Sequence, residues 1–313
     1  MDPKVGRTVF KTFPEFSKLT LADKTAYEAL IKEYPPIGDL SFGMLMTWWS
    51  ALENVSIAHL DDNLVISYWL PGDEKNSGLS LVGKHNIDES LCAIFDYLRE
   101  RGDEPRLVHV PEFVTAAIQY PELFTFANEP EYNECIIAID KFCLVSNVAP
   151  HKQKRIQKML ATIETADVTL RSLDLNSDAN RFLLLEACAK WSGLQGETKT
   201  VNLAYEAIAI AVAHAEALGF ENLCLFIDGV LEGFLLFLRP HDKQYIMAEF
   251  FKVNHKRPHI FDYMVYRCAS HFAEEKVAFA NIDADLGVPV MQRVRLQFEP
   301  VNYFRKYTIT PAS

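Results

Sequence analysis

Apolar residues recur along this chain at two spacings, one of three to four residues and one of two, and the spacings follow each other in the same order twice. After Leu19-Thr20-Leu21 a helical period runs through Tyr27, Leu30 and Ile31 until Pro35-Pro36 stops it. Asp39 or Ser41 stands where a cap is needed for a second helix carrying Phe42, Leu45, Trp48 and Trp49. Strand-like runs follow at 55–60, 64–70 and 79–82, the first two joined by the turn Asp61-Asp62-Asn63. A helix over 88–101, a strand at 107–110, a helix over 112–119 and strands near Phe124 and at 135–139 close the first half.

The second half starts again, with Leu173-Asp174-Leu175 and Asp178 in the places of Leu19-Thr20-Leu21 and Asp23. Helices reach Trp191 and cover 202–218, and strands are expected at 223–227, 230–238 and 245–251. A helix over 259–275, a strand at 277–280, a helix over 288–294 and strands near Phe298 and Tyr307 complete it. The order β-α-α-β-β-β-α-β-α-β thus occurs twice. It predicts a mixed-sheet α/β protein of two tandem lobes, 1–148 and 149–313. That is the element order of the GNAT acyltransferase fold, whose sheet splays open at its centre to admit an acyl donor.

Composition narrows the picture. The 313 residues are 49% hydrophobic, enough for two compact cores. The net charge of −11 confines any nucleic-acid contact to a local basic patch. Six dispersed cysteines without a CxxC pair fit reduced, mostly buried thiols, as expected of a cytoplasmic protein. The first seven residues have no apolar core behind their charges, so no secretory signal is read there. Asp228, Glu232 and two glycines break the most apolar stretch, 223–238, which reads as a β-hairpin rather than an integral membrane segment. His255 and His259 are separated by Pro258 and lack a third ligand, so no metal is expected.

Positive charge gathers in two places. The stretch 151–160 contains Lys152, Lys154, Arg155 and Lys158 and no acid, beside an apolar stripe of Ile156, Met159, Leu160 and Ile163. A solvated connecting helix and a phosphate-binding helix account for this run equally well. Lys252, His255, Lys256 and Arg257 form a second cluster just before a helix start, where free N–H groups favour anions.

The most informative stretch is Asn281-Ile282-Asp283-Ala284-Asp285-Leu286-Gly287-Val288-Pro289. In a strand, Asn281, Asp283 and Asp285 would share one face; alternatively Asp285 caps the next helix. With the trailing Arg293, Arg295 and Phe298-Glu299-Pro300, this motif resembles the signature of the soluble C-terminal region of phosphatidylglycerol lysyltransferases. Lys154-Arg155, Asp39-Leu40-Ser41-Phe42 with Trp48, and Phe251-Lys252 are similar to further motifs of that family, so the resemblance spans nearly the whole chain. It departs from the family at Val290-Met291-Gln292, where Gly-Leu-Arg is usual, and at Arg295, where lysine is usual.

The resemblance implies two tandem GNAT lobes and transfer of an aminoacyl group from aminoacyl-tRNA to a hydroxyl or amine of a lipid or small-molecule acceptor, with peripheral membrane contact. No cofactor is then needed. The alternatives are an acyl-CoA-dependent N-acyltransferase and a non-catalytic tandem GNAT binding module. Acyl-CoA enzymes of this fold cradle a pyrophosphate on a glycine-rich loop. The corresponding segments, 253–261 and 83–88, hold no glycine and one glycine respectively, which favours the tRNA-linked donor.

Roles follow from the chemistry of an activated ester. Glu249 is the candidate base, Asp283 the group that orients the acceptor or the α-amine, and Lys252 or Arg295 the oxyanion partner. Asn281, Asp285 and Arg293 are candidate substrate contacts. Lys152, Lys154, Arg155, Lys158, Lys256 and Arg257 are candidate tRNA-phosphate contacts.

Overall fold

The computed structural model describes residues 10–49, 55–68, 78–163, 165–192 and 199–312. The amino-terminal reading and the end of the 64–70 run lie outside them. The first half contains β1 (Ser17–Lys18), α1 (Lys24–Ile31), α2 (Phe42–Met44), β2 (Val55–Leu60), β3 (Asn63–Tyr68), β4 (Gly78–Val82), α3 (Ile87–Glu100), β5 (Leu107–Pro111), α4 (Glu112–Thr115), β6 (Phe124–Asn128) and β7 (Glu134–Ala138). Helix α5 (Pro150–Thr162) leads into the second half. There follow β8 (Val168–Arg171), α6 (Asp178–Ser192), α7 (Lys199–Ala213), α8 (Ala215–Leu218), β9 (Phe220–Ile227), β10 (Val230–Leu238), β11 (Tyr245–Val253), α9 (Ile260–Glu274), β12 (Phe279–Asn281), α10 (Pro289–Leu296), β13 (Asn302–Phe304) and β14 (Lys306–Pro311).

Local chemistry sets most of these boundaries. Of the two candidate caps, Ser41 does the work: its Oγ accepts the Met44 N–H at 3.1 Å, while Asp39 is turned elsewhere. The hairpins β2–β3 and β9–β10 turn on Asp61-Asp62 and Asp228-Gly229, all four at positive φ, the turn type that suits strand twist. The helix expected over 112–119 is a single turn. In the second half the strand is β8, ahead of Leu173 and Leu175, which are buried but not in a strand. Phe298 is likewise buried outside any strand.

The strands form two seven-stranded mixed sheets, ordered β1-β2-β3-β4-β5-β14-β6 and β13-β7-β12-β11-β10-β9-β8. Each has one parallel pair at its centre, β4–β5 and β11–β12, and is otherwise antiparallel. The two halves therefore fold alike, with one departure from the expected lobes. Strand β7 does not close the first sheet: it sits between β12 and β13 of the second, and β14 from the end of the chain fills the equivalent place between β5 and β6. The cut at 148/149 divides the sequence repeat but not the sheets. A strand's period-two pattern fits any sheet edge, so nothing local told β7 and β14 apart.

Burial follows the same division. One core lies under α3 on the first sheet and another under α5 and α9 on the second. A third is shared, with Tyr27, Phe42, Ile57 and Ile66 of the first half packed with Leu184, Ile208, Phe234 and Phe250 of the second. Residues 1–148 made alone lack the strand between β5 and β6 and one side of the shared core. They are expected to show no cooperative melt and a collapsed amide spectrum, with both restored by co-expression of 149–313. A cooperatively folded 1–148 fragment would contradict the exchange.

Candidate active site

The exchanged strands bring four carboxylates to one place. Glu134, fully buried on β7, uses all its acceptor capacity: Oε2 accepts from Gly38 N–H (2.6 Å) and Asn281 Nδ2 (2.5 Å), and Oε1 from Asp39 N–H (3.1 Å) and Lys306 Nζ (2.8 Å). Lys306, buried at the start of β14, also donates to Asp39 Oδ2. Burial alone would lower the proton affinity of this ammonium, but Asp39 and Glu134 outweigh that and raise it above the ordinary lysine range.

Glu249 enters from β11 through a β-bulge. Leu236 pairs with Phe250 and Phe237 with Ala248, leaving Glu249 as the extra residue. Ala248 and Phe250 pack into different cores, so the bulge frees Glu249 to turn toward the seam. Both its carboxylate oxygens are buried, and neither has a hydrogen-bond partner among the described residues. A methyl group placed on Gly38 would lie 3.7 Å from Glu249 Oε1, 3.5 Å from Glu134 Oε2 and 3.7 Å from Asn281 Nδ2, so these groups surround one small space.

Strand β12 ends at Asn281 because its side chain takes over: Oδ1 accepts the Asp283 N–H at 2.9 Å while Nδ2 binds Glu134 and the Pro36 carbonyl. Asp283 then takes positive φ (68°), with Oδ1 accepting the Ala284 N–H at 2.7 Å. Asn281, Asp283 and Asp285 therefore do not share a strand face. Asn281 and Asp283 reach the seam through a turn, whereas Asp285 Oδ1 accepts from Gly287 N–H and caps no helix. Arg295, from α10, donates Nη2 to the Ala284 carbonyl at 3.4 Å, and its buried Nε is unpartnered among the described residues.

Four carboxylates thus face two cations, and the shortfall falls on Glu249 and Asp283. Burial, then Asp283, Glu134 and Asp39, pushes Glu249 well above the usual carboxyl range. Burial, then Asp39 and Glu134, pushes Asp283 up to about 7, with Arg295 opposing. Oxygens of Asp39, Glu134 and Asp283 lie within 4.8 Å of one another, a spacing at which carboxylates hold metal ions, although no ligand pattern was visible in sequence. Lys306 already supplies positive charge to two of the three.

No family model matches this chain, and no curated protein matches it in sequence. Solved structures do match it. A conserved protein of unknown function from Bacteroides thetaiotaomicron VPI-5482 superposes with a TM-score of 0.80 at 19% identity, over 95% of this chain and 99% of that one. The C-terminal domain (DUF2156) of a putative lysylphosphatidylglycerol synthetase from Agrobacterium fabrum gives 0.60 at 10% identity, over 93% and 92%. L-PGS from Bacillus licheniformis gives 0.58 at 14% identity, over 92% and 91%. This chain has the fold of the lysylphosphatidylglycerol synthetase C-terminal domain. At these identities the likeness is one of fold.

On this synthetase-type fold the remaining sequence candidates separate. Lys252 stands on β11 beside His255, whose imidazole is held low by burial and by Lys252; no hydrogen bond or ion pair joins Lys252 to Glu249 or Asp283 among the described residues. Arg293 points outward from α10, away from Arg295. Of the basic run, Lys154 and Lys158 are exposed on α5, and Arg155 is half-exposed but bonds Asp262 of α9 at 3.3 Å. Lys152 is buried and donates to the Gln297 carbonyl, so it presents nothing to a phosphate. Arg257 is bound to the buried Glu232 at 2.7 Å, and Lys256 next to it is exposed. No helix among the described residues is long and apolar enough to cross a membrane.

Sequence reasoning missed Glu134 and Lys306, and it read Asp39 as a candidate cap and as part of a family-like motif without giving it a place in the site. A lysine and a glutamate inside short strand patterns are the one local signal these residues give.

The excess acid makes stability fall with pH. Glu249 and Asp283 keep protons in the folded chain that the unfolded chain releases near their ordinary values of 4.5 and 3.8. The folded state therefore binds more protons between about pH 4 and pH 7, and stability declines across that window. Asp283→Asn and Glu249→Gln should each raise the urea midpoint relative to the parent at pH 8, with the gap closing toward pH 4. Midpoints that track one another at both ends would mean no proton is held here.

Proposed function

We propose that this chain is a GNAT-type aminoacyltransferase, moving an aminoacyl group from aminoacyl-tRNA to a hydroxyl or amine of a lipid or small-molecule acceptor. The observation that carries the reading is the pair of polar groups in one buried site without a hydrogen-bond partner among the described residues, the Glu249 carboxylate and the Arg295 Nε. An acceptor of protons and a donor of hydrogen bonds, both desolvated and unengaged, suit a substrate with an ionisable nucleophile and a carbonyl.

In the proposed reaction Glu249 first releases the proton it holds at rest; the acceptor oxygen or nitrogen then attacks the ester carbonyl carbon and gives its proton to the Glu249 carboxylate, whose burial makes it a stronger base than a surface carboxylate. Charge that develops on the carbonyl oxygen meets Arg295. The carbon–oxygen bond to the ribose then breaks, and the proton on Glu249 passes to the departing ribose oxygen. Asp283, beside Glu249, holds the α-ammonium or the acceptor in register. Lys306, Asp39 and Glu134 keep the seam closed around these groups without joining the chemistry.

The donor side rests on charge. Lys154 and Lys158 face outward on α5, and Arg155 reaches the first turn of α9, a few residues from Lys256. Arg155 thus ties the first basic run to the helix that the second run precedes, on a protein of net charge −11. Both candidate CoA loops lack support. Gly83 abuts the Asn63 side chain, and the Asp88 carboxylate in the first turn of α3 is engaged by the N–H groups of Gln119 and Tyr120. The α9 end has His259 and no glycine.

Aminoacyl-tRNA binding should weaken with salt at a log–log slope of roughly −0.7 to −0.9 per phosphate contact. Lys154→Ala with Lys158→Ala should flatten that slope by about one to two units without changing thermal stability. Glu249→Gln should abolish transfer while leaving this binding intact. A parent protein that binds no tRNA at low salt sinks the reading, and transfer from acyl-CoA would replace it.

A further inference from the structure

Helix α5 turns Lys154 and Lys158 to solvent and Lys152 inward, and the inward lysine has no part in the reading above. Lys152 is 7% exposed. Its Nζ donates to the Gln297 carbonyl at the C-terminal end of α10 and lies 5.0 Å from the centre of the Phe298 ring and 5.4 Å from that of Phe142. Burying an ammonium is unfavourable where a methionine would fill the same space. What the charge adds is a cation on the last carbonyls of α10, the negative end of a helix.

Helix α10 is poorly held by apolar contact. None of its residues is buried, and within it only Val294 packs against the core of the second sheet. Its outer side shows Val290, Arg293 and Leu296 to solvent, while its inner side sends Arg295 toward Glu249 and Asp283. A helix of eight residues with so little apolar grip depends on its ends.

We propose that Lys152 is a positioning residue that grips the C-terminus of α10 and so holds Arg295 over the Glu249–Asp283 pair. The proposal rests on Arg295 serving that site, but not on which donor or acceptor is used. It joins the basic helix to the acidic seam: the face of α5 that carries Lys154 and Lys158 is backed by the residue that fixes the site's second cation.

The test is the titration of the Asp283 carboxyl in the full chain, read by carbon NMR on aspartate-labelled protein. Asp283 faces Asp39, Glu134, Glu249 and Arg295, and of these only Arg295 lowers its proton affinity. Lys152→Met should raise the Asp283 midpoint by about half a unit or more, and Arg295→Met should raise it at least as far. The double variant should titrate like Arg295→Met alone, since Lys152 acts through Arg295. Lys152→Arg, which keeps a cation within reach of the Gln297 carbonyl, should titrate like the parent. If Lys152→Met does not fold, Lys152→Gln replaces it in the same cycle. An unchanged midpoint in the uncharged variant, or a shift that adds in full to that of Arg295→Met, overturns the proposal. No tRNA enters the experiment, so it can fail while the aminoacyltransferase reading stands, and the reverse.

Discussion

The ammonium of Lys306 is withdrawn from water where two exchanged strands meet the loop before α2, and an ion there must find its counter-charges inside the fold or cost several kcal/mol. It finds them on Glu134 of β7 and on Asp39. Because Lys306 begins β14 and Glu134 begins β7, the same ion pair joins the two strands that cross between sheets. Strand exchange, shared core and buried charge are thus one arrangement. Separating the halves would break two sheets, open the common core and strand the ions in one step.

The rest of the site is built against that fixed point. Glu134, with four hydrogen bonds, aligns Gly38, Asp39, Asn281 and Lys306 and has no capacity left. Glu249 and Asp283 are pressed toward it by a bulge and a tight turn, backbone irregularities that place side chains where a regular strand would not. A core built for stability alone would fill this space with apolar groups. Here two carboxyls in excess of their cations are instead held with raised proton affinity.

The two halves share a topology but have diverged in charge. At the start of α3 the Asp88 carboxylate is satisfied by backbone N–H groups and Asn63 braces the preceding loop, so that end is closed. At the start of α9 the neighbouring side chains are basic and α5 packs alongside. The bulged Glu249, the Asn281–Asp283 turn and Arg295 all belong to the second half.

The sequence by itself determined the elements and their repeated order, because helices and strands are written in local periods that need no partner to be read. It also offered Asn281, Asp283 and Arg295 as candidates through a motif that resembles a known family, and Glu249 as an acid inside an apolar strand pattern. Only the tertiary structure decided which sheet β7 and β14 join, as backbone hydrogen bonds are the same in either sheet and the choice lies in long-range packing. It alone placed Glu134 and Lys306 at the site, residues 172 positions apart in sequence whose meeting depends on that exchange. It also sorted the basic helix, turning Lys152 inward and Lys154 outward. A charge run fixes how many cations a helix carries, whereas the neighbour it packs against decides which of them meets water.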